Sequence, residues 1–175
     1  MTVALLYRYI GKDKDISTNT IIHAIHTNDK LPRATAPLIV AATLLTHLCG
    51  GSAGREGAAL QLGGSLSDTF LSPFQKKLRI SSSDRHIIIM CGMAATFCAL
   101  FCTPVTAVIF SLELATIGAM YYAALVPCTI SSLIGYLISN FFGFRATAYS
   151  VNFTSINIVP ILQTVALGAL CALVS

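Results

Sequence analysis

The glycine-rich stretch GGSAGREGAALQLGG, residues 50–64, is the most informative part of this sequence. An apolar run, residues 34–49, precedes it and ends there, because clustered glycines interrupt a helix. Residues 57–70 resume a helical pattern, but this segment is too short and too polar to cross a membrane by itself. The stretch therefore predicts two short helices that meet at a break, with Arg55 and Glu56 at the start of the second helix.

The composition indicates which solvent surrounds the chain. Of its 175 residues, 55% are hydrophobic and 10% are charged, and the mean hydropathy is +0.76, whereas a soluble domain is about 25% charged. After Asp84, Glu113 is the one remaining acidic residue. These values predict an integral membrane protein in contact with the lipid bilayer. They argue against a nucleic-acid partner, which would require basic residues and stacking aromatics on a soluble face.

The rest of the chain predicts more membrane segments. A basic loop at residues 73–85 is followed by three apolar segments, with a break expected near Pro127 in the second: residues 86–101, 104–142 and 158–174. Short apolar segments interrupted by glycine or proline are typical of transporters with broken helices. We predict one all-α, multi-pass membrane domain with broken or half-spanning helices over residues 1–175.

Other features of the sequence indicate no cofactor or metal. The polar residues 11–33 predict a short amphipathic helix near a surface. The six cysteines lie in or beside apolar runs, so we interpret them as small buried hydrophobic residues and not as disulfides or metal ligands. His23 and His26 are three residues apart but lack a third ligand. No nucleotide-binding motif occurs.

Glu56 is the first candidate for a functional side chain, because an ionisable residue at membrane depth is costly to bury. A helix N-terminus attracts anions. The carboxylate of Glu56 can occupy that position or swing away and leave it to a dissolved anion. The sequence therefore predicts a gate at Glu56. The alternative is that Glu56 pairs with Arg55 or caps its helix, while Gly50 and Gly54 form a helix-packing face.

Two blocks of sequence resemble one family. Residues 51–64 resemble the glycine-arginine-glutamate-glycine signature of the CLC chloride-channel family, and residues 92–97 with 101–113 resemble its next block, at the family's spacing. The resemblance covers a motif-bearing core, residues 16–114. It implies transmembrane transport of chloride or fluoride, by a channel or a proton-coupled exchanger. It also implies a homodimer of the full-length protein in the cell membrane.

The resemblance also implies roles for particular residues. Glu56 corresponds to the gating glutamate, and anion binding falls to the backbone or side chains of Gly54, Arg55, Gly57, Ala58 and Asn19. Asn19 takes the place of a serine in the loop that forms the family's inner anion site. Two further departures are Cys102-Thr103-Pro104, where asparagine-alanine-proline is usual, and Leu114, where proton-coupled exchangers have a second glutamate. The departures are similar to those of the fluoride-exporting branch, and both chloride and fluoride stay open as the anion.

Two other functions are alternatives to transport by this chain. Members of the family are much longer, so the chain can be a truncated product without transport activity of its own. An intramembrane enzyme could use Glu56, His47 or Glu113, but the sequence shows no nucleophile–base pair or paired metal motif. We therefore predict that the protein is not an enzyme.

Overall fold

A computed structural model describes residues 34–51, 54–75, 79–115, 121–144 and 158–174. Every regular element in these ranges is helical, which confirms the predicted fold class. The helices are α1 (Thr35–Leu48), α2 (Glu56–Leu71), α3 (Ser82–Phe101), α4 (Pro104–Ala115), α5 (Leu125–Phe141) and α6 (Ile158–Val174), and a 3-10 turn, Tyr122–Ala124, leads into α5. The predicted amphipathic helix and Asn19 lie outside the described residues.

Helix α3 is the centre of the packing, since it contacts α2, α4 and α5. Its 20 residues rise about 30 Å, the thickness of the hydrocarbon core. Ser82–Phe101 and Tyr122–Phe141 are the two helical segments of the described chain that are long and apolar enough to cross a membrane. The core packs around α3 and includes Ile89, Met90 and Met93. The other apolar helices are shorter, as the glycine and proline interruptions predict.

Helix α3 begins four residues before the predicted apolar segment, so the end of the expected basic loop is helical. The reason is a capping box. The Ser81 hydroxyl accepts a hydrogen bond from the Asp84 backbone N–H at 3.2 Å, and the Asp84 carboxylate accepts one from the Ser81 backbone N–H at 3.2 Å. Such reciprocal bonds satisfy donors at a helix start that would otherwise be unpaired. Arg85 therefore lies in α3 and not in a loop.

The predicted break near Pro127 lies a few residues earlier in the chain. Helix α4 extends to Ala115, and helical structure resumes at Tyr122. Pro127 is in the first turn of α5, where proline is tolerated because the N–H it lacks would have no intrahelical acceptor there. The proline therefore marks the start of a helix and not its interruption.

Glycines bring α2 and α3 close together. A Cβ atom added at Gly92 would lie 2.5 Å from the Gly63 carbonyl oxygen, and one added at Gly63 would collide with the Gly92 carbonyl and the Thr96 hydroxyl. The same hydroxyl donates to the Ala59 carbonyl of α2 at 2.9 Å. Small residues that allow such backbone approach are typical of helix contacts in membranes. This contact fixes α2 against α3.

Helix α5 packs on α3 through a stripe of small residues, which are its buried residues: Cys128, Ser132, Gly135 and Ser139. Their spacing of three and four places them on one helix face. Serine hydroxyls on and beside the stripe donate to carbonyls of neighbouring elements: Ser131 to Cys91 (2.9 Å), Ser132 to Pro104 (3.0 Å) and Ser139 to Ala99 (2.8 Å). Large apolar residues of α5 stay exposed on its other faces.

The cysteines correspond only in part to the small buried residues that the sequence predicts. Cys98 and Cys128 are buried, and Cys91 and Cys102 are half-buried. Cys49 and Cys171 are exposed, so the prediction is wrong for these two. Cys171 lies in α6, which has no buried residue along its length. Cys49 directly follows α1, at the start of the glycine break.

The residue that ends α3 has an unfavourable backbone conformation. Cys102 has φ +55° and ψ +33°, and its N–H donates to the Cys98 carbonyl at 2.7 Å. Side chains with a Cβ rarely adopt this left-handed conformation, whereas glycine and asparagine are common at such helix ends. The asparagine usual in the CLC motif would suit this position better than cysteine.

We therefore expect Cys102→Gly to raise the free energy of unfolding by about 1 kcal/mol, and Cys102→Val to lower it by about 1 kcal/mol. Denaturation with sodium dodecyl sulfate, followed by circular dichroism, measures both changes. Cys102→Ala removes the thiol but keeps a Cβ, so it separates the effect of sulfur from that of the backbone. Equal stabilities of the glycine and alanine variants would contradict the expectation.

Candidate anion site at the start of α2

The chain turns sharply between α1 and α2. Gly50 has φ +75°, a left-handed conformation that favours glycine. The N–H of Gly51 donates to the Thr46 carbonyl at 2.8 Å, and a Cβ atom at Gly51 would lie 2.8 Å from Thr46 Cγ2. Both glycines are therefore required by the turn. The sequence prediction of a helix break at this position is confirmed.

The N-terminus of α2 is open. Its N-cap residue, Arg55, makes no side-chain capping bond. The first backbone hydrogen bond of the helix runs from the Ala59 N–H to the Arg55 carbonyl at 3.0 Å. The N–H groups of the first turn have no intrahelical acceptor and carry the positive end of the helix dipole. The start of α3, by contrast, is closed by its own capping box.

Glu56 is the first residue of α2, and its side chain is exposed. Its carboxylate lies next to Gly54, since a Cβ atom at Gly54 would collide with Glu56 Oε2. A negative charge at this end of a helix is in its favourable electrostatic position. Glycine at position 54 leaves room for the carboxylate beside the backbone. The conformation observed is thus one in which a side-chain anion lies beside the helix start.

The structure brings most of the predicted site residues together at one helix end. Gly54, Arg55 and Glu56 are exposed, and Gly57 and Ala58 are half-buried in the first turn of α2. Their roles in anion binding and gating stay predictions, as does that of Asn19.

The residues of the alternative enzyme hypothesis show no shared arrangement. The Nδ1 atom of His47 lies 2.8 Å from the Thr43 carbonyl of its own helix. Glu113 is exposed near the end of α4. No group of three metal-ligating side chains occurs in the described part of the chain.

An apolar cavity of about 490 Å³ lies between α1, α2, α3 and α5. Arg55 and Ala58 contribute to its wall, together with apolar residues such as Leu44, Leu100 and Phe142, whereas Glu56 and Gly57 do not. A wall of this kind offers an anion few hydrogen-bond donors.

A buried ion pair at the other end of α2 was not singled out from the sequence. Arg85 of α3 donates through Nε to Asp68 Oδ1 at 2.6 Å and through Nη2 to Asp68 Oδ2 at 2.9 Å. Both residues are less than a tenth exposed. One signal was present in the sequence: an aspartate between apolar membrane segments is expected to have a charged partner.

Two helices long enough to cross a membrane, together with shorter apolar helices next to glycine and proline interruptions, are typical of membrane proteins with broken helices. A family profile, the voltage gated chloride channel, matches residues 1–175. The chain belongs to this family, CLC, as its two motifs predict.

Individual relatives agree with this assignment. The chain is 36% identical over 160 residues to a chloride/fluoride channel protein of Pseudomonas syringae pv. tomato, covering 91% of this chain and 34% of the relative. It is 30% identical over 131 residues to the voltage-gated ClC-type chloride channel ClcB of Escherichia coli O81, covering 74% of this chain and 30% of the relative.

A solved structure has the same fold. The crystal structure of a CLC-type fluoride/proton antiporter matches with a TM-score of 0.77 and 29% identity over 97% of this chain and 42% of that chain. These matches are to channels and an antiporter. The chain spans less than half the length of each of these relatives.

Proposed function

We propose that this chain forms the gate-bearing part of an anion-transport domain, in which the Glu56 carboxylate and a permeant anion compete for the N-terminus of α2. The observation that carries the proposal is a helix start without a side-chain capping bond, with the Glu56 carboxylate beside Gly54. Anions bind at such helix ends because backbone N–H groups and the helix dipole act together. When the Glu56 side chain rotates away, the position becomes free for a dissolved ion.

The donors at this end are too few to replace the hydration shell of an ion. Each hydrogen bond that the ion loses on leaving water has to be compensated in the protein. The relatives are more than twice as long as the chain. We infer that the remaining donors come from other parts of a complete CLC domain, and we expect multi-pass insertion in the cell membrane and a homodimeric full-length protein.

Substituting Glu56 tests the gate. In a complete CLC domain that contains this chain, Glu56→Gln removes the competing charge but leaves the helix start intact. We expect anion efflux from liposomes to change in rate and to lose its dependence on pH, because an amide carries no charge at any pH in the series. Efflux is followed with an anion-selective electrode across a series of pH values.

Glu113→Gln is the matched control, because Glu113 is also an exposed glutamate of a short apolar helix but lies away from the helix N-terminus. This variant is expected to keep the pH dependence. Unchanged efflux and unchanged pH dependence in Glu56→Gln would show that Glu56 is not the gate.

We propose fluoride as the transported anion. Support comes from two relatives, a chloride/fluoride channel protein and a fluoride/proton antiporter, and from the departures of the sequence at Asn19, Cys102 and Leu114. Fluoride is small and strongly hydrated, so its site has to supply close, strong donors; an asparagine amide is one such donor.

The deciding measurement loads liposomes containing the complete protein with fluoride or with chloride in turn. We expect fluoride to leave at least tenfold faster. Equal efflux rates for the two anions would favour a chloride transporter in which the changes at these three positions have no effect on selectivity. The test of Glu56 as the gate does not depend on this result.

A further inference from the structure

Two thiols meet in the contact between α3 and α5, away from the α2 start. The Sγ atoms of Cys91 and Cys128 are 3.9 Å apart. Cys128 is fully buried, while Cys91 is half-buried. The hydroxyl of Ser131, one helical turn after Cys128, donates to the Cys91 carbonyl at 2.9 Å and holds the two helices in register. The pair is thus positioned by the packing around it.

The distance between the sulfurs suits a bridging ion better than a disulfide. A disulfide requires an S–S distance of about 2.05 Å, so the sulfurs would have to approach by almost half their present separation of 3.9 Å. Two collinear metal–sulfur bonds of about 2.3 Å place the sulfurs about 4.6 Å apart. Starting from 3.9 Å, each sulfur then moves outward by about 0.35 Å, which small side-chain rotations supply.

Charge also limits what can bind between the two thiols. Their surroundings are the apolar core around α3, where an uncompensated charge is costly. When a divalent cation binds, both thiols lose their protons to solvent, and two thiolates with one dication form a neutral complex. Thiolates prefer soft metal ions. A hard cation such as Mg²⁺ needs about six oxygen ligands, whereas the two side chains of the pair offer sulfur.

We propose that Cys91 and Cys128 form a two-coordinate binding site for a soft thiophilic cation, which bridges α3 and α5. Each sulfur forms one metal–sulfur bond as its S–H bond breaks, and no electron is transferred. Cys91 precedes Gly92, the residue that contacts Gly63 of α2. The bound cation therefore ties α5 to the part of α3 that supports the gate-bearing helix.

Mercuric ion is the probe for this site, in the full chain reconstituted in lipid nanodiscs. Cys49→Ser, Cys102→Ser and Cys171→Ser together remove the competing exposed and half-buried thiols. In this background we expect one mercuric ion per chain by native mass spectrometry, with two sulfur neighbours by X-ray absorption. In Cys91→Ala or Cys128→Ala, the bound mercury should have one protein sulfur neighbour in place of two. A competing monothiol should then remove the mercury at a concentration at least a hundredfold lower than in the background protein, because the chelate is lost.

Cys98→Ala is the matched control, because Cys98 is also buried in α3 but does not belong to the pair. It is expected to leave the mercury site unchanged, and circular dichroism checks that all variants fold. Retention of two-sulfur coordination in Cys91→Ala or Cys128→Ala would overturn the proposal. So would air oxidation of the pair to a disulfide that excludes mercury from the background protein.

Discussion

Replacing Arg85 with alanine is expected to lower the free energy of unfolding by about 3–5 kcal/mol, the usual effect of removing one partner from a buried ion pair. Arg85 holds both carboxylate oxygens of Asp68, at 2.6 and 2.9 Å. Without the guanidinium, Asp68 keeps a buried charge whose bidentate partner is gone. Denaturation with sodium dodecyl sulfate, followed by circular dichroism, measures the change.

Two further substitutions separate loss of the pair from general damage. Arg79→Ala removes an exposed arginine from the turn before α3 and is expected to change the stability by less than about 0.5 kcal/mol. Combining Arg85→Met with Asp68→Leu replaces both charges by apolar groups and should recover most of the loss. An Arg85→Ala protein as stable as the Arg79→Ala protein would contradict the structural role of the pair.

Gly92→Leu is expected to lower the free energy of unfolding by about 3 kcal/mol, because overpacked side chains force neighbouring elements apart. The nearest backbone atom to an added Cβ is the Gly63 carbonyl oxygen, at 2.5 Å, and backbone cannot rotate away as a side chain can. Helix α2 must therefore shift relative to α3. In a complete domain, the shift should also reduce anion efflux, since α2 carries Glu56.

Gly168→Leu provides the control for the Gly92 substitution. Gly168 also lies within an apolar helix, α6, but an added Cβ there meets no atom within 4 Å. Leucine is a better helix former than glycine, so this variant should be unchanged or up to about 1 kcal/mol more stable. A similar loss of stability at both positions would show that the close contact of α2 with α3 is not the cause.

The local features of the fold could be predicted from the sequence because they depend on residues close together in the chain. The glycine break at residues 50–54 and the start of α2 follow from backbone preferences, and α6 was predicted with the bounds 158–174 that it has. The open helix start follows from the position of Arg55 and Glu56 directly after Gly54. The fold class follows from the apolar segments and their glycine and proline interruptions.

Features that join distant residues could not be predicted in the same way. Arg85 was grouped with a basic loop, because the sequence does not show that Asp68, 17 residues earlier, lies opposite it in a neighbouring helix. The thiol pair joins Cys91 and Cys128 across 37 positions. The start of α3 was placed too late, since apolar periodicity begins after the capping box at Ser81.

The serine hydroxyls of α5, which donate hydrogen bonds to neighbouring carbonyls, also affect how this helix enters the bilayer. In isolation, Ser131, Ser132 and Ser139 would carry hydroxyls without these acceptors into hydrocarbon, which costs free energy for each group. Once α3 and the start of α4 are beside it, the acceptors at Cys91, Pro104 and Ala99 satisfy all three. Membrane integration of α5 should therefore depend on the earlier helices during synthesis. Helices α3 and α5 are expected to leave the translocon together and not one after the other.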